Sequence, residues 1–286
     1  MHFTRRQFVV LAGALSISPL QRVQADEHNT LFWHAGRADQ SSAIFGYERI
    51  NAALVSDIVS DGDRIADSAT SIYTDFNQNL PLARYKVNLK DVPPVFPELQ
   101  QADADDLRRI MTAGGGAAVE NLPGFVVSLF LIGEGQHPAG PTAGGVIIDH
   151  VRSSGKQPSP LISDAEFESI WSPPDTPAAR SVGARQISYL LQKRRQVGPI
   201  GLYLETLYAQ RRSSEIMQLI AEIDREGVIS PTVSLGGPQF KALLLEQILK
   251  IRSAKNFIFL PLGVLLGDDG ILQRMRGNGF QINSLA

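Results

Sequence analysis

The sequence predicts an α/β fold: a mixed β-sheet core with flanking helices and a helical insertion before a C-terminal strand–turn–helix–strand unit. Three observations carry that expectation. Residues 257–260, Phe-Ile-Phe-Leu, are a short apolar run between Lys-Asn and Pro-Leu-Gly, which suits a strand buried on both faces. Short strand patterns near the N-terminus are followed by a helical pattern, the alternation expected of α/β chains. From about residue 180 to 252 helical periods dominate, and only then does the 257–260 run appear.

Composition narrows the function classes. At 286 residues the chain is long enough for one large domain or two small ones. Its 43% hydrophobic and 20% charged residues are those of an ordinary globular protein. The formal charge is -2, with no basic stripe for nucleic acid and no polybasic block for an anionic membrane surface. The absence of cysteine excludes disulfides, thiolate metal sites and cysteine nucleophiles.

The N-terminus reads as an export leader. Thr4-Arg5-Arg6-Gln7-Phe8-Val9-Val10 has the twin-arginine pattern, residues 8–20 are uncharged and mostly apolar, and Val23-Gln24-Ala25 offers a cleavage site. Thirteen residues are too few to span a bilayer as a helix. The expectation is a signal peptide over 1–25 and a mature domain over 26–286, periplasmic and with no stable membrane span after cleavage. Removing Arg5, Arg6 and Arg22 with no acid moves the formal charge from -2 to -5.

In chain order, residues 31–34 and 42–45 predict a strand pair joined by a loop over 35–40. Gly46-Tyr47-Glu48-Arg49 leads into a helix over 50–59, Asp61-Gly62-Asp63 ends it, and residues 64–67 start a short strand ending in Asp67. Residues 81–98 are proline-rich and read as a loop. Helices are expected over 103–111 and 124–132, and another around 146–152, before Gly155-Lys156-Gln157-Pro158. Further helices follow at 186–195, 202–210, 215–225 (capped by Ser213) and 239–252, a helical subdomain over about 180–252. After the 257–260 strand, Asp268-Asp269 suit a helix N-terminus, 271–276 a short helix stopped by Gly277, and 280–282 a last strand. Ligands bind at the carboxyl ends of strands in such sheets, so the loop after residue 260 is expected to form one wall of a site.

These elements, with Leu265, Gly267, Gly270 and the Gly279-Phe280 ending, resemble the TraB/PrgY/GumN family, to which the Tiki-type proteases are related. The likeness covers residues 30–284 and rests on element order and glycine positions. The family has two Gly-x-x-His motifs. Here the first is Gly46-Tyr47-Glu48-Arg49, and the second falls on Pro261-Leu262-Gly263-Val264, so arginine and valine stand where the histidines would be. Asp67 takes the place of the family's strand-end acid and Asp149 that of its helical aspartate. The family's strand ending in Leu-Glu implies a strand at residues 161–163, where Asp164 is the nearest acid; in the competing register the motif falls on Leu204-Glu205-Thr206 with Gln210.

The resemblance implies a metal-dependent peptidase built on those histidines, and their replacement implies its loss. Val264 cannot bind a metal, and the guanidinium of Arg49 repels a cation. The leading expectation is therefore an exported, catalytically degenerate protein with no cofactor, a divalent metal remaining possible. It would bind a small anionic or peptide ligand, or a partner protein, through Gly46, Arg49 and Gly263. Two alternatives stand beside it. One is a divergent metal-dependent hydrolase drawing on Glu48, Asp67 and Asp268 as catalytic candidates, with His34 and His150 as weak metal candidates. The other is a structural factor in envelope or exopolysaccharide assembly. His28 and His137 fall in polar or glycine-rich segments and are expected to be solvated, and no two histidines share a metal-ligand spacing.

Overall fold

A computed structural model describes residues 29–38, 40–76, 91–113, 119–137, 140–170, 181–227, 237–253 and 255–285. The expected signal peptide, residues 1–25, and the expected loop over 81–90 lie outside these. Six strands form one mixed sheet in the order β4-β3-β5-β2-β1-β6. The first two, β1 (Phe32–Arg37) and β2 (Gln40–Tyr47), pair antiparallel from Phe32↔Phe45 to Arg37↔Gln40. The strands are longer and the turn tighter than expected, because Ala35 and Gln40 both continue the buried face. Ala38, in the two-residue link, takes the positive φ of 43° that such a turn demands.

The segment after β2 departs most from the sequence reading. Asn51 accepts from the Ala53 N–H at 3.0 Å and opens a short 3-10 turn, Ala52–Leu54. Helix α1 then runs over Ser56–Ser68, straight through Asp61-Gly62-Asp63. Gly62 acts as a contact point and not a stop: a Cβ there would lie 2.3 Å from Ile147 Cδ1. Residues 64–67 are thus the last helical turns, and the strand is β3, Ser71–Thr74. Lys156 closes the end of α1, its Nζ donating to the carbonyls of Ala66, Asp67 and Ala69 at 2.7–2.9 Å.

Helices α2 (Gln101–Ala113) and α3 (Gly124–Gly133) fall where their patterns place them. Helix α4 (Ala143–Ser153) starts three residues early because the Thr142 hydroxyl accepts from the Gly145 N–H. The strand expected at 161–163 is β4, Ser159–Pro160, and Leu161 and Ile162 prolong the pairing by donating to the carbonyls of Thr74 and Asp75. Ser163 and Glu166 then form a reciprocal capping box for α5 (Asp164–Ile170). Four longer helices follow: α6 (Ala184–Val197), α7 (Ile200–Ala209), α8 (Ser213–Arg225) and α9 (Pro238–Lys250).

Strand β5 (Asn256–Pro261) is buried at every residue and lies between β3 and β2, parallel to both. A one-turn helix, α10 (Leu262–Leu265), follows directly. Helix α11 (Ile271–Gly277) is entered through Gly270, not through the Asp pair, and Asp269 instead accepts from Arg274 Nε at 3.0 Å. The left-handed residue after α11 is Gly279, φ 82°, and Gly277 lies within the helix. Strand β6 (Gln281–Ser284) ends the sheet beside β1.

Two apolar clusters hold the molecule. The larger surrounds the sheet and includes Phe240, Leu244 and Ile248 of α9. The smaller joins Leu107 and Ile110 of α2, Phe125 and Leu131 of α3, Ile187 and Leu190 of α6, Ile200 of α7, and Leu219 and Ile223 of α8. The helical part thus begins earlier than residue 180 and leaves α9 to the sheet. Among the described residues, no helix is long and apolar enough to cross a membrane.

Candidate functional site

The connections from β2 and β5 leave the sheet in opposite directions, β2 towards β3 and β5 towards β6. Such a divergence opens a crevice at the carboxyl ends of the strands. Register makes those ends level: Gly46 pairs with Leu260, Tyr47 with Pro261, and Thr74 with Phe259. The end of β2 at Gly46 and Tyr47, the start of α10 with Gly263 and the end of β3 therefore share one edge. Gly46 thus lies in a strand and Gly263 in a helix, and not in the expected turns.

Gly46 is a packing glycine. Its N–H donates to the Leu31 carbonyl at 2.8 Å and its carbonyl accepts from the Tyr208 hydroxyl at 3.1 Å. A Cβ there would stand 2.7 Å from Leu262 Cδ1 and 3.0 Å from Trp33 Cζ3. The strand alternation then sends Tyr47 and Glu48 to opposite sides. Tyr47 packs near Gly144 of α4 and donates through its hydroxyl to Asp75 Oδ2 at 2.7 Å. Asp75 is fully buried at the end of β3, so it, and not Asp67, is the strand-end acid. The alternation of buried Ile72 and Thr74 just before it was the pattern that could have found it.

Glu48 faces Tyr208 of α7. Part of the residue reaches solvent, but its Oε1 is enclosed and has no hydrogen-bond partner among the described residues. Burial raises the carboxyl to about 7, against the charge and backbone N–H of Arg49, which pull it down. Burial likewise holds the Tyr208 phenol well above its ordinary value, and the nearby Glu48 charge adds to this. A carboxyl that keeps its proton near neutrality can donate or accept one. Nothing in the spacing of Leu204-Glu205-Thr206-Leu207-Tyr208 forecast that Tyr208 would reach across to Gly46.

Arg49 is exposed and makes no ion pair among the described residues. Gly263 is half-buried in α10, while Leu262 and Val264 beside it are fully buried. The other wall is α7 and its link to α8. There Arg211, at φ 58°, donates to Asp61 at 2.6 Å and Asp57 at 3.1 Å, tying the helical part to α1.

The remaining sequence candidates do not converge on this edge. Asp67 lies at the far end of α1, a 13-residue helix about 20 Å long, where β3 begins. It is exposed there and accepts from or donates to nothing at the carboxyl edge. Its partner is His150 Nε2 at 2.8 Å, a bond that raises the His150 imidazole above its usual value. His34 sits mid-strand opposite Ala43, its Nε2 3.0 Å from Ser41 Oγ. Asp268 is exposed in the turn between α10 and α11. Glu205 is buried and holds His137 instead, with the His137 N–H at 3.1 Å and Nδ1 at 2.7 Å. Among the described residues, no group of three or more His, Asp or Glu side chains is placed to hold a metal ion.

Comparison with known proteins adds no identity: no family model, no curated protein and no solved structure matches this chain.

Proposed function

We propose that this is an exported TraB/GumN-like protein that has given up metal chemistry and binds a small anionic or peptide ligand, or a partner protein, at the carboxyl edge. One observation carries the reading. The position of the second family histidine is Val264, fully buried next to fully buried Leu262, so aliphatic side chains fill the place where a metal ligand would stand. The donor set fits no divalent cation, because Arg49 contributes a fixed positive charge at the other histidine position. That same charge, exposed and outside any ion pair among the described residues, is available to a carboxylate or phosphate.

The test is a binding screen of inorganic phosphate, dicarboxylates and short acidic peptides by calorimetry, comparing wild type with Arg49→Ala. The reading expects a ligand whose affinity falls about tenfold or more in the variant, in line with loss of a charge-assisted contact. Equal binding by both proteins would overturn it. Export is tested separately, by N-terminal sequencing of periplasmic material, which should begin at Asp26.

A second reading is favoured by Glu48 alone. A carboxyl enclosed, unpartnered at Oε1 among the described residues and raised to about 7 suits a general acid–base in a rearranged hydrolase site. A peptidase or esterase activity lost in Glu48→Gln and kept in Arg49→Ala would establish it over the first.

A further inference from the structure

Away from the sheet, α2 and α6 frame an open groove of about 1070 Å³. Small-molecule sites run to about 300–1,000 Å³, so it has room for a ligand of more than one ring. Its charges are largely answered from within. At one end Arg195 donates to Asp103 at 2.7 Å and to Asp106 at 2.6 Å; at the other Arg185 donates to Glu226 at 2.9 Å. Glu98, exposed at the rim, repels anions.

Between these ion-paired ends lie Ser188, Tyr189 and Gln192, on the same face of α6 as Arg185 and Arg195. Their hydroxyl, phenol and carboxamide make no hydrogen bond among the described residues. The middle of the groove therefore offers uncharged donors and acceptors beside an aromatic ring that packs partly on the second apolar cluster. A matching ligand is uncharged, carries several hydroxyls, and has an apolar face to lay on the ring. An extended peptide meets the first condition but is recognised through a sheet edge or an apolar groove, and this groove is walled by helices and lined mainly by polar side chains.

We propose that this groove is a binding site for a neutral saccharide, stacked on Tyr189 and hydrogen-bonded by Ser188 and Gln192. It is separate from the carboxyl edge and does not depend on what binds there. A planar carboxamide presents a donor and an acceptor side by side, which suits adjacent sugar hydroxyls.

The test is saturation-transfer NMR on the full mature chain, with maltose, cellobiose and lactose as neutral probes. Digalacturonic acid and tetra-alanine serve as the anionic and peptide comparisons. The expected result is transfer to ring protons of at least one neutral disaccharide, with binding about tenfold weaker in Gln192→Ala and in Tyr189→Ala, the scale of one good contact. Gln192 is exposed, so its truncation leaves the fold in place. Tyr189→Phe keeps the ring and should stay within about threefold of wild type. No transfer to any of the three neutral sugars, transfer to digalacturonic acid or tetra-alanine in their place, or transfer unchanged in Gln192→Ala and Tyr189→Ala would overturn the proposal.

Discussion

The two edges of the sheet carry acids of the same sequence character into opposite environments. At the edge where β3 begins, Asp67, with its side chain 61% exposed, meets His150, 35% exposed, at 2.8 Å. At the edge where β2 and β5 end, Glu48 lies beside Tyr208 and leaves Oε1 enclosed, without a hydrogen-bond partner among the described residues. Water screens the first pair, so little energy rides on it. The second is screened less, because Oε1 is enclosed, and burial sets its protonation state. A polar residue's type is visible in a sequence; its solvent is not.

The largest effect that would sharpen this contrast is the pH dependence of stability. Glu48 has a folded value of about 7 against an ordinary value of 4.5, so between these the folded chain binds more protons than the unfolded one. Stability should therefore be fullest below pH 4.5 as far as this group is concerned, and should decline as pH rises through 7. The full decline amounts to about 3–4 kcal/mol. Arg49 opposes it by favouring the charged form, and among the described residues Tyr208 also faces Glu48. Glu48→Gln should flatten that slope in urea melts at pH 5, 7 and 8.5; an unchanged slope would break the contrast.

Next comes the hydroxyl that ties α7 to Gly46. Tyr208→Phe removes the 3.1 Å bond and leaves the buried Gly46 carbonyl without that donor. The expected cost is about 1–2 kcal/mol, read as a lowered urea midpoint with an unchanged slope. The smallest effect belongs to the exposed pair. His150 is raised chiefly by its bond with Asp67, so the stability it contributes is present below its ordinary value of 6.5 and fades as pH rises through the raised one. Asp67→Asn should change stability at pH 6 by less than about 1 kcal/mol. An effect as large as that of Glu48→Gln would erase the difference between the edges.

Much of the fold was legible because local pattern and tertiary role agree. The all-apolar run at 257–260 is β5, buried throughout, and the periodic stripes at 186–195, 215–225 and 239–252 are α6, α8 and α9 with slightly shifted ends. Legibility fails where a distant side chain decides. Gly62 reads as a helix stop, but Ile147, far along the chain, makes it a contact between α1 and α4. That single misreading moved the strand and with it the acid, from Asp75 to Asp67. The site suffered in the same way. Glu48 and Arg49 were in view because they sit in a turn motif, whereas Tyr208 and Asp75 join them only through α7 packing and strand register.

The claim most exposed to refutation is that aliphatic side chains have displaced the metal at the carboxyl edge. Metal content by mass spectrometry, on mature protein purified without chelator or histidine tag, tests it directly. The account predicts less than about a tenth of an equivalent of zinc, manganese or iron, and no rise in melting temperature when each is added, since no binding free energy is there to be linked to folding. Stoichiometric metal that is lost in Glu48→Ala would contradict it and would make the rearranged hydrolase the better reading.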